Sequence, residues 1–403
     1  MKRASRFACA LLAACLVGAA QPALAEPTDA DRAAAAVAWL EAQTTSAGVL
    51  ESSPGSPDLG MTLGAVLAGI AAGTAPATLS TWIAAVEPAL AARVLGDDAL
   101  GTSTDYGLIA KTLLTLEAAG QPGSSFGGLD LVELTSEGVM TGERPGWAKG
   151  TNAFGQSYAI LALARAGLPS AEAVTFLGAQ LCEDGGVPMY FDAGPCPTSG
   201  ASSDTDGTAL AMMALAAAKD AGIAAAEAPL EHATAWLVEQ QQPDGSFPSS
   251  GPGPVPNTNT TGLAAAALVE LSPAASAKAT AWIRARQLTE GPDAGAIAHT
   301  VAKQEAGLDD VVRGDWMLAT TEGVIGLAPV PYGRLGGTSE AVVAWDRPGQ
   351  FEAAGHRWRT ECDAGKQSRT CRTFVEATHV LTVGQGYRVT SGWVLVRQTQ
   401  IQE

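Results

Sequence analysis

Two acidic residues, Asp204 and Asp206, stand just before ten residues that carry no polar side chain. A carboxylic acid can donate a proton when burial and a neighbouring group keep it protonated. Either carboxylate can also cap a helix by accepting hydrogen bonds from the free N–H groups of its first turn. The sequence favours capping for both residues. Ligand contact and proton donation by Asp206 are the alternatives.

The stretch that contains these residues is one of six similar segments, most of them 47 to 55 residues apart. Most open with Asp, Asn, Ser or Thr, which cap helices, and several close on Gly, which ends them. Their apolar character on every face is typical of helices buried inside a protein. The segments are residues 58–73, 105–120, 152–167, 204–218, 257–271 and 315–327.

Amphipathic segments alternate with these six, at residues 30–43, 76–93, 128–140, 170–181, 227–241 and 274–286. Paired outer and inner helices repeated six times predict a mainly α fold, an (α/α)6 toroid of six helical hairpins. Ligand is expected at the rim that the N-termini of the inner helices form. The candidate ligand-binding residues are Asp105, Asp204, Asp206, Asn259 and Asp315.

Residues 235–271 carry a family resemblance. The sequence Trp-Leu-Val-Glu-Gln-Gln-Gln-Pro-Asp-Gly-Ser-Phe begins at Trp236, and Asn-Thr-Thr-Gly-Leu begins at Asn259. This resembles the repeat of the terpenoid-cyclase and prenyltransferase toroids, and residues 183–187 before Thr205 are a looser match. The resemblance covers residues 30–332 and implies the toroid. It does not select a function, because the fold hosts several.

Individual branches of that family can be compared with this chain. The Gly-Cys-Gly-Glu-Gln motif of complement thioester domains is absent, and the cysteines do not suit the zinc site of protein prenyltransferases. Class II terpene cyclases protonate an alkene with the middle Asp of Asp-x-Asp-Asp-Thr-Ala. Residues 204–209 match this motif except at Gly207, so the resemblance implies Asp206 as proton donor, with Asp204 beside it.

Secreted cobalamin carriers of the transcobalamin type share the expected layout of one toroid and a smaller β domain. That architecture alone implies a corrinoid between the two domains, and the sequence predicts no other cofactor and no metal. Toroids also include glycosidases and polysaccharide lyases, which use paired carboxylates when they hydrolyse. A glycan-active enzyme is therefore a third alternative.

Residues 1–25 have the pattern of a secretory signal peptide: three early basic residues, an apolar core and Ala-Leu-Ala before Glu26. The alternative to cleavage before Glu26 is a lipoprotein signal in which Cys15 is the lipidated residue. The formal charge of -17 argues against nucleic acid as a partner, and no later segment is long enough to span a membrane. Export favours two local disulfides, Cys182–Cys196 and Cys362–Cys371.

The composition changes after the toroid region, so we expect a linker at 333–339 and a small β domain at 340–403, after the toroid at 26–332. Strands are expected at 342–345, 357–362, 371–381, 387–390 and 392–398. This region resembles a short module of secreted actinobacterial proteins. Its Trp345, Trp358 and Trp393 are interpreted as core rather than as a sugar-binding row.

The sequence as a whole favours a secreted, monomeric, non-catalytic protein that binds a small molecule or a cell-surface component. A cyclase that uses Asp206 is the first alternative.

Overall fold

The computed structural model describes residues 26–95, 105–140, 144–191, 195–196, 201–250, 253–336, 349–353, 356–364, 368–383 and 386–402. The predicted signal peptide with Cys15 lies outside the described residues. So do residues 337–348, which include part of the expected linker, the first expected strand and Trp345.

Helices account for most of the described chain before residue 337. In chain order they are α1 (Asp29–Ala42), α2 (Leu59–Ala71), α3 (Pro76–Leu95), α4 (Tyr106–Ala118), α5 (Leu131–Met140), α6 (Ala153–Arg165), α7 (Ala171–Ala179), α8 (Thr205–Asp220), α9 (Glu227–Glu239), α10 (Thr258–Leu268), α11 (Pro273–Arg284), α12 (Val301–Ala306) and α13 (Arg313–Leu327).

Helices α2, α4, α6, α8, α10 and α13 form the inner wall of a ring. Each packs against the next one along the chain, and α13 packs against α2 to close the circle. Helices α1, α3, α5, α7, α9 and α11 pack outside them. The predicted (α/α)6 toroid is therefore confirmed.

Polar residues set where most inner helices begin. The side chains of Asp58, Asp105, Asn152, Asp204 and Asn257 each accept a hydrogen bond from a backbone N–H of the following turn. These bonds satisfy amide groups that a helix start leaves without partners. Helix α13 departs from this pattern and begins at Arg313, two residues before the predicted start.

The Asp-Gly motif of the repeat joins outer helices to the loops beside them. Trp236 donates its indole N–H to Asp184 at 3.0 Å, and Trp282 donates to Asp244 at 3.1 Å. The glycines that follow, Gly185 and Gly245, have φ angles of 98° and 95°. A side chain at Gly245 would also collide with the backbone of Lys278. The motif is thus explained by packing between repeats.

The chain beyond α13 closes the end of the ring where the inner helices terminate. Tyr332 is buried, and its backbone N–H points to Met213 Sδ of α8 at 3.5 Å. Arg165 of α6 donates to the carbonyl of Gly333 at 2.9 Å, and Arg334 pairs with Asp220 at 2.9 Å. Residues 333–336, expected in a linker, therefore pack onto the toroid.

A four-stranded antiparallel sheet lies in the C-terminal region. Two short two-stranded sheets come earlier in the chain: β1 (Glu51–Ser53) pairs with β2 (Ser56–Pro57), and β3 (Val187–Pro188) pairs with β4 (Ser203–Asp204). The four strands of the C-terminal sheet follow chain order as β5 (Gly349–Ala353), β6 (His356–Ala364), β7 (Ser368–Val383) and β8 (Gly386–Gln402). The expected strands 387–390 and 392–398 form one continuous strand, β8. Cys362 and Cys371 are paired across β6 and β7 and form a disulfide, as Cys182 and Cys196 also do.

Candidate functional site

A repeated hydrogen bond places the inner helices in a common register. In four inner helices, the side chain four residues after the capping residue accepts a hydrogen bond from the backbone N–H of a loop residue. The accepting side chains are those of Thr62, Gln156, Thr208 and Thr261. Thr320 of α13 accepts the N–H of Ile297 in the same way. Residues on different inner helices can therefore be compared position by position, including in α4, where Ile109 takes this place.

Two layers of residues follow from this register. The mouth layer lies two residues before the common position and the floor layer two residues after it, so they are about 6 Å apart along the axis. The mouth layer consists of Gly60, Gly107, Phe154, Asp206, Asn259 and Leu318. The floor layer consists of Gly64, Lys111, Tyr158, Leu210, Leu263 and Glu322.

Interactions across the ring show that the floor layer faces its centre. Tyr158 of α6 and Glu322 of α13, on opposite sides of the ring, are close enough for Glu322 to raise the pKa of the phenol after the larger effect of burial. Lys111 Nζ of α4 lies 5.3 Å from the centroid of the Tyr158 ring. The space that the two layers enclose is called the central cup below.

The cup opens at one end. Five mouth-layer residues are partly exposed and Leu318 is 40% exposed, whereas every floor-layer residue except Lys111 is buried. At the opposite end Tyr332 covers the floor, and its phenol donates to Glu322 Oε2 at 3.5 Å. The N-terminal ends of the inner helices are therefore the solvent-exposed end of the cup.

Asp206 is the titratable residue of the mouth layer. Burial raises the pKa of its carboxyl to about 7, and the nearby carboxyls of Asp204 and Glu322 add to this rise. Thr260 lowers that pKa and is the largest influence after burial, but its hydroxyl lacks the geometry of a hydrogen bond to Asp206. The buried Asp206 Oδ1 has no hydrogen-bond partner among the described residues.

The prediction that both aspartates cap the helix is correct for Asp204 and wrong for Asp206. Asp204 Oδ1 accepts the N–H of Gly207 at 2.7 Å, as a capping residue does. Asp206 is the second residue of α8, and at that position it belongs to the mouth layer that lines the cup.

Asn259 stands beside Asp206 on the neighbouring helix α10, at the same position of the register. Its Oδ1 is also buried without a hydrogen-bond partner within the described residues. Two acceptors without partners thus occupy adjacent positions of the mouth layer. Leaving such groups unsatisfied costs about 1–3 kcal/mol each.

The floor contains an amine and a carboxyl that do not form a close ion pair. Burial lowers the pKa of Lys111 although Glu322 and Asp58 oppose that change, and burial raises the pKa of Glu322 although Lys111 and the Tyr332 hydroxyl oppose it. No Lys111–Glu322 contact within 4.0 Å joins these described side chains. Neither group therefore neutralises the other through a direct contact.

The other two predicted rim residues have partners on the protein. Asp105 caps α4 and forms an ion pair with Arg93 at 3.1 Å. Asp315 forms an ion pair with Lys303 at 2.8 Å and is exposed. The structure thus brings Asp206 and Asn259 together and leaves Asp105 and Asp315 in surface contacts.

Sequence reasoning missed Lys111, Tyr158, Glu322 and Tyr332. One signal was present: Lys111 and Glu322 are charged residues in otherwise apolar stretches of inner helices. A charge on an all-apolar helix must face a partner or a cavity, because its burial alone is costly.

Over the described part of the chain, no group of three or more His, Cys, Asp or Glu side chains is placed to hold a metal ion. Within the same residues, no helix has the length and apolar character to cross a membrane.

Comparison with solved structures agrees with the fold. The apo form of the type II terpene cyclase MstE from Scytonema is 16% identical at a TM-score of 0.50, over 74% of this chain and 97% of that one. A glycosidase in complex with glucose is 12% identical at a TM-score of 0.50, over 75% of this chain and 98% of that one. No family model and no curated protein matches the sequence. These likenesses define the protein as an α/α toroid.

Proposed function

We propose that this protein binds a small organic molecule in the central cup, through N–H or O–H groups of the ligand that donate to Asp206 and Asn259. The observation that carries the proposal is the pair of buried acceptors, Asp206 Oδ1 and Asn259 Oδ1, which have no partner among the described residues. A ligand donor that reached both would remove the cost of leaving them unsatisfied.

The remaining lining limits the kind of ligand. Phe154 and Leu318 give the mouth layer apolar surface, and Gly60 and Gly107 contribute no side chain. Lys111 and Glu322 below them offer a donor and an acceptor to a second polar group of the ligand. We therefore propose a hydroxyl- or amine-bearing molecule with an apolar part, in line with ligand sites that combine apolar walls with a few placed polar groups.

Proton donation by Asp206 is the second candidate, because burial raises its pKa to about 7 and a protonated acid can act at neutral pH. The side chains around Asp206 do not suit the carbocation chemistry of a cyclase. An amine at Lys111 would repel a carbocation if protonated and would capture it if neutral. Phe154, Tyr158 and Tyr332 supply few aromatic faces.

Two further hypotheses from the sequence remain predictions. A glycan-active enzyme needs two carboxyl groups, and Asp206 and Glu322 both face the cup. A corrinoid held between the toroid and the β domain, inferred from architecture alone, also stays a prediction. Secretion also remains a proposal, compatible with the two disulfides, and a monomeric state remains a prediction from the sequence.

Isothermal titration calorimetry at pH 7 with hexylamine, glucose and farnesol tests the proposal. We expect at least one of these donor-bearing probes to bind, with affinity about tenfold lower in Asn259→Leu, which deletes one acceptor. The matched control Asp105→Asn alters a rim carboxyl outside the cup and should bind normally. Equal binding to wild type and Asn259→Leu would overturn the proposal, as would no binding of any probe.

Incubation with squalene separates the cyclase alternative. Conversion of squalene by wild type, lost in Asp206→Asn, would replace the binding proposal with an enzymatic one. We expect recovery of unchanged squalene.

A further inference from the structure

Lys111 is the floor-layer group whose chemistry goes beyond the hydrogen bond proposed for it above. It lies near the middle of α4, and its amine makes no hydrogen bond or ion pair with any described residue. It lies over the Tyr158 ring, with Nζ 5.3 Å from the ring centroid. The neighbouring helix α2 presents Gly64 toward the amine, and a Cβ there would lie 3.6 Å from Lys111 Nζ and 2.9 Å from Thr321 Cγ2.

Several titratable groups face this amine from the helices around it. Asp58 at the start of α2 and Glu322 on α13 act on its charge, and the Tyr158 ring on α6 lies beside it. Asp206 on α8 and Tyr332 beyond α13 interact in turn with Tyr158 and Glu322. Burial lowers the pKa of Lys111, and Glu322 and Asp58 reduce that effect without reversing it. A buried lysine that lacks a close anion holds its proton weakly, which makes its amine a nucleophile.

We propose that Lys111 captures an aldehyde by forming an imine with it inside the central cup. This inference rests on the proposed function, because the aldehyde must reach the floor through the mouth layer. The class of ligand is a small aldehyde, and its hydroxyl or amine groups would donate to the acceptors of the mouth layer.

The reaction balances without an external oxidant or reductant. The lone pair of Lys111 Nζ forms the C–N bond while the carbonyl π electrons move to oxygen, and one proton then passes from nitrogen to that oxygen to give a neutral carbinolamine. A proton given to the hydroxyl lets it leave as water as the nitrogen lone pair forms the C=N bond, and the remaining N–H proton is returned to the group that gave the proton. Amine and aldehyde thus give imine and one water.

Glu322 is suited to move the proton in this reaction. Its carboxyl faces the cup and has a pKa raised by burial, and the Tyr332 phenol orients it through the 3.5 Å hydrogen bond. A protonated Glu322 can give a proton to the departing hydroxyl, and its carboxylate can accept one from nitrogen. Tyr332 is a positioning residue that holds this carboxyl.

Reductive trapping tests the proposal on the full chain. The protein is incubated at pH 7 with propanal and cyanoborohydride, which converts an imine to a stable secondary amine, and the modified lysines are found by peptide mass spectrometry. We expect Lys111 to be modified at least tenfold faster than the exposed Lys149, Lys219 and Lys278. The adduct should disappear in Lys111→Met and persist in Lys219→Met, with circular dichroism to show that both variants fold.

Modification of the exposed lysines without Lys111 would overturn the proposal, and this readout needs only the wild-type protein. Calorimetry with the donor-bearing probes distinguishes the two levels of failure. If a probe binds and Lys111 stays unmodified, the imine proposal fails alone. If no probe binds either, the binding function fails with it.

Discussion

Replacing Asp206 with Asn should stabilise the toroid, and the gain should grow with pH. Burial raises the pKa of the Asp206 carboxyl from the ordinary 3.8 to about 7 in the folded protein. Between those values the folded chain keeps a proton that the unfolded chain has lost. Stability therefore falls as pH rises through this window, by about 1.4 kcal/mol per pH unit, and the loss is complete above about pH 7.

The size of the effect follows from that window. From pH 5 to about pH 7 the wild-type protein loses about 3 kcal/mol of unfolding free energy, because the unfolded chain has released the Asp206 proton and the folded chain has not. The neutral amide of the Asp206→Asn variant has no such loss. Urea denaturation followed by tryptophan fluorescence, at pH 5 and pH 8, measures the unfolding free energy of wild type and Asp206→Asn. We expect the difference between them to shift by about 3 kcal/mol in favour of the variant at pH 8.

Asp105→Asn is the matched control for this experiment. It makes the same change on another inner helix and removes the exposed Arg93 ion pair, worth about 0–1 kcal/mol. A difference between wild type and Asp206→Asn that stayed constant from pH 5 to pH 8 would refute the argument that burial in the cup raises the pKa of Asp206.

Three further changes test the surroundings of the cup. Tyr332→Phe removes the phenol that donates to Glu322 and should lower the unfolding free energy by about 0.5–1.5 kcal/mol in urea denaturation. Cys182→Ser, which opens the disulfide to Cys196 across a sequence separation of 14, should cost about 3 kcal/mol in the same assay. Gly262→Ala places a Cβ against the carbonyl of Glu322 where α10 meets α13, and should lower the melting temperature by overpacking worth about 1–3 kcal/mol. No change in any one measurement would contradict the contact that it tests.

The sequence contains most of the fold because the toroid is built from local signals. Apolar inner segments, capping residues such as Asp58 and Asn257, and the Asp-Gly turn before Phe247 each act within one repeat. Six such repeats, packed side by side, then close into a single ring. The longer β8 and the earlier start of α13 were missed, because pairing and packing extended those elements beyond their own local pattern.

The site could be predicted only in part, because it depends on register between helices that are far apart in the chain. Asp206 and Asn259 were recognised as polar residues at helix starts, but which of them cap and which face the cup depends on one position in a helical turn. Lys111 and Glu322 are 211 residues apart, and only the closed ring brings them to one floor.

The most direct test of the proposed function is a high-resolution crystal structure of the protein purified from its own source. We predict electron density for a small organic molecule in the central cup, with donor atoms about 2.6–3.2 Å from Asp206 Oδ1 and Asn259 Oδ1. If both oxygens instead bond only to other side chains of the protein, the acceptor pair is not a ligand site and the central claim is contradicted.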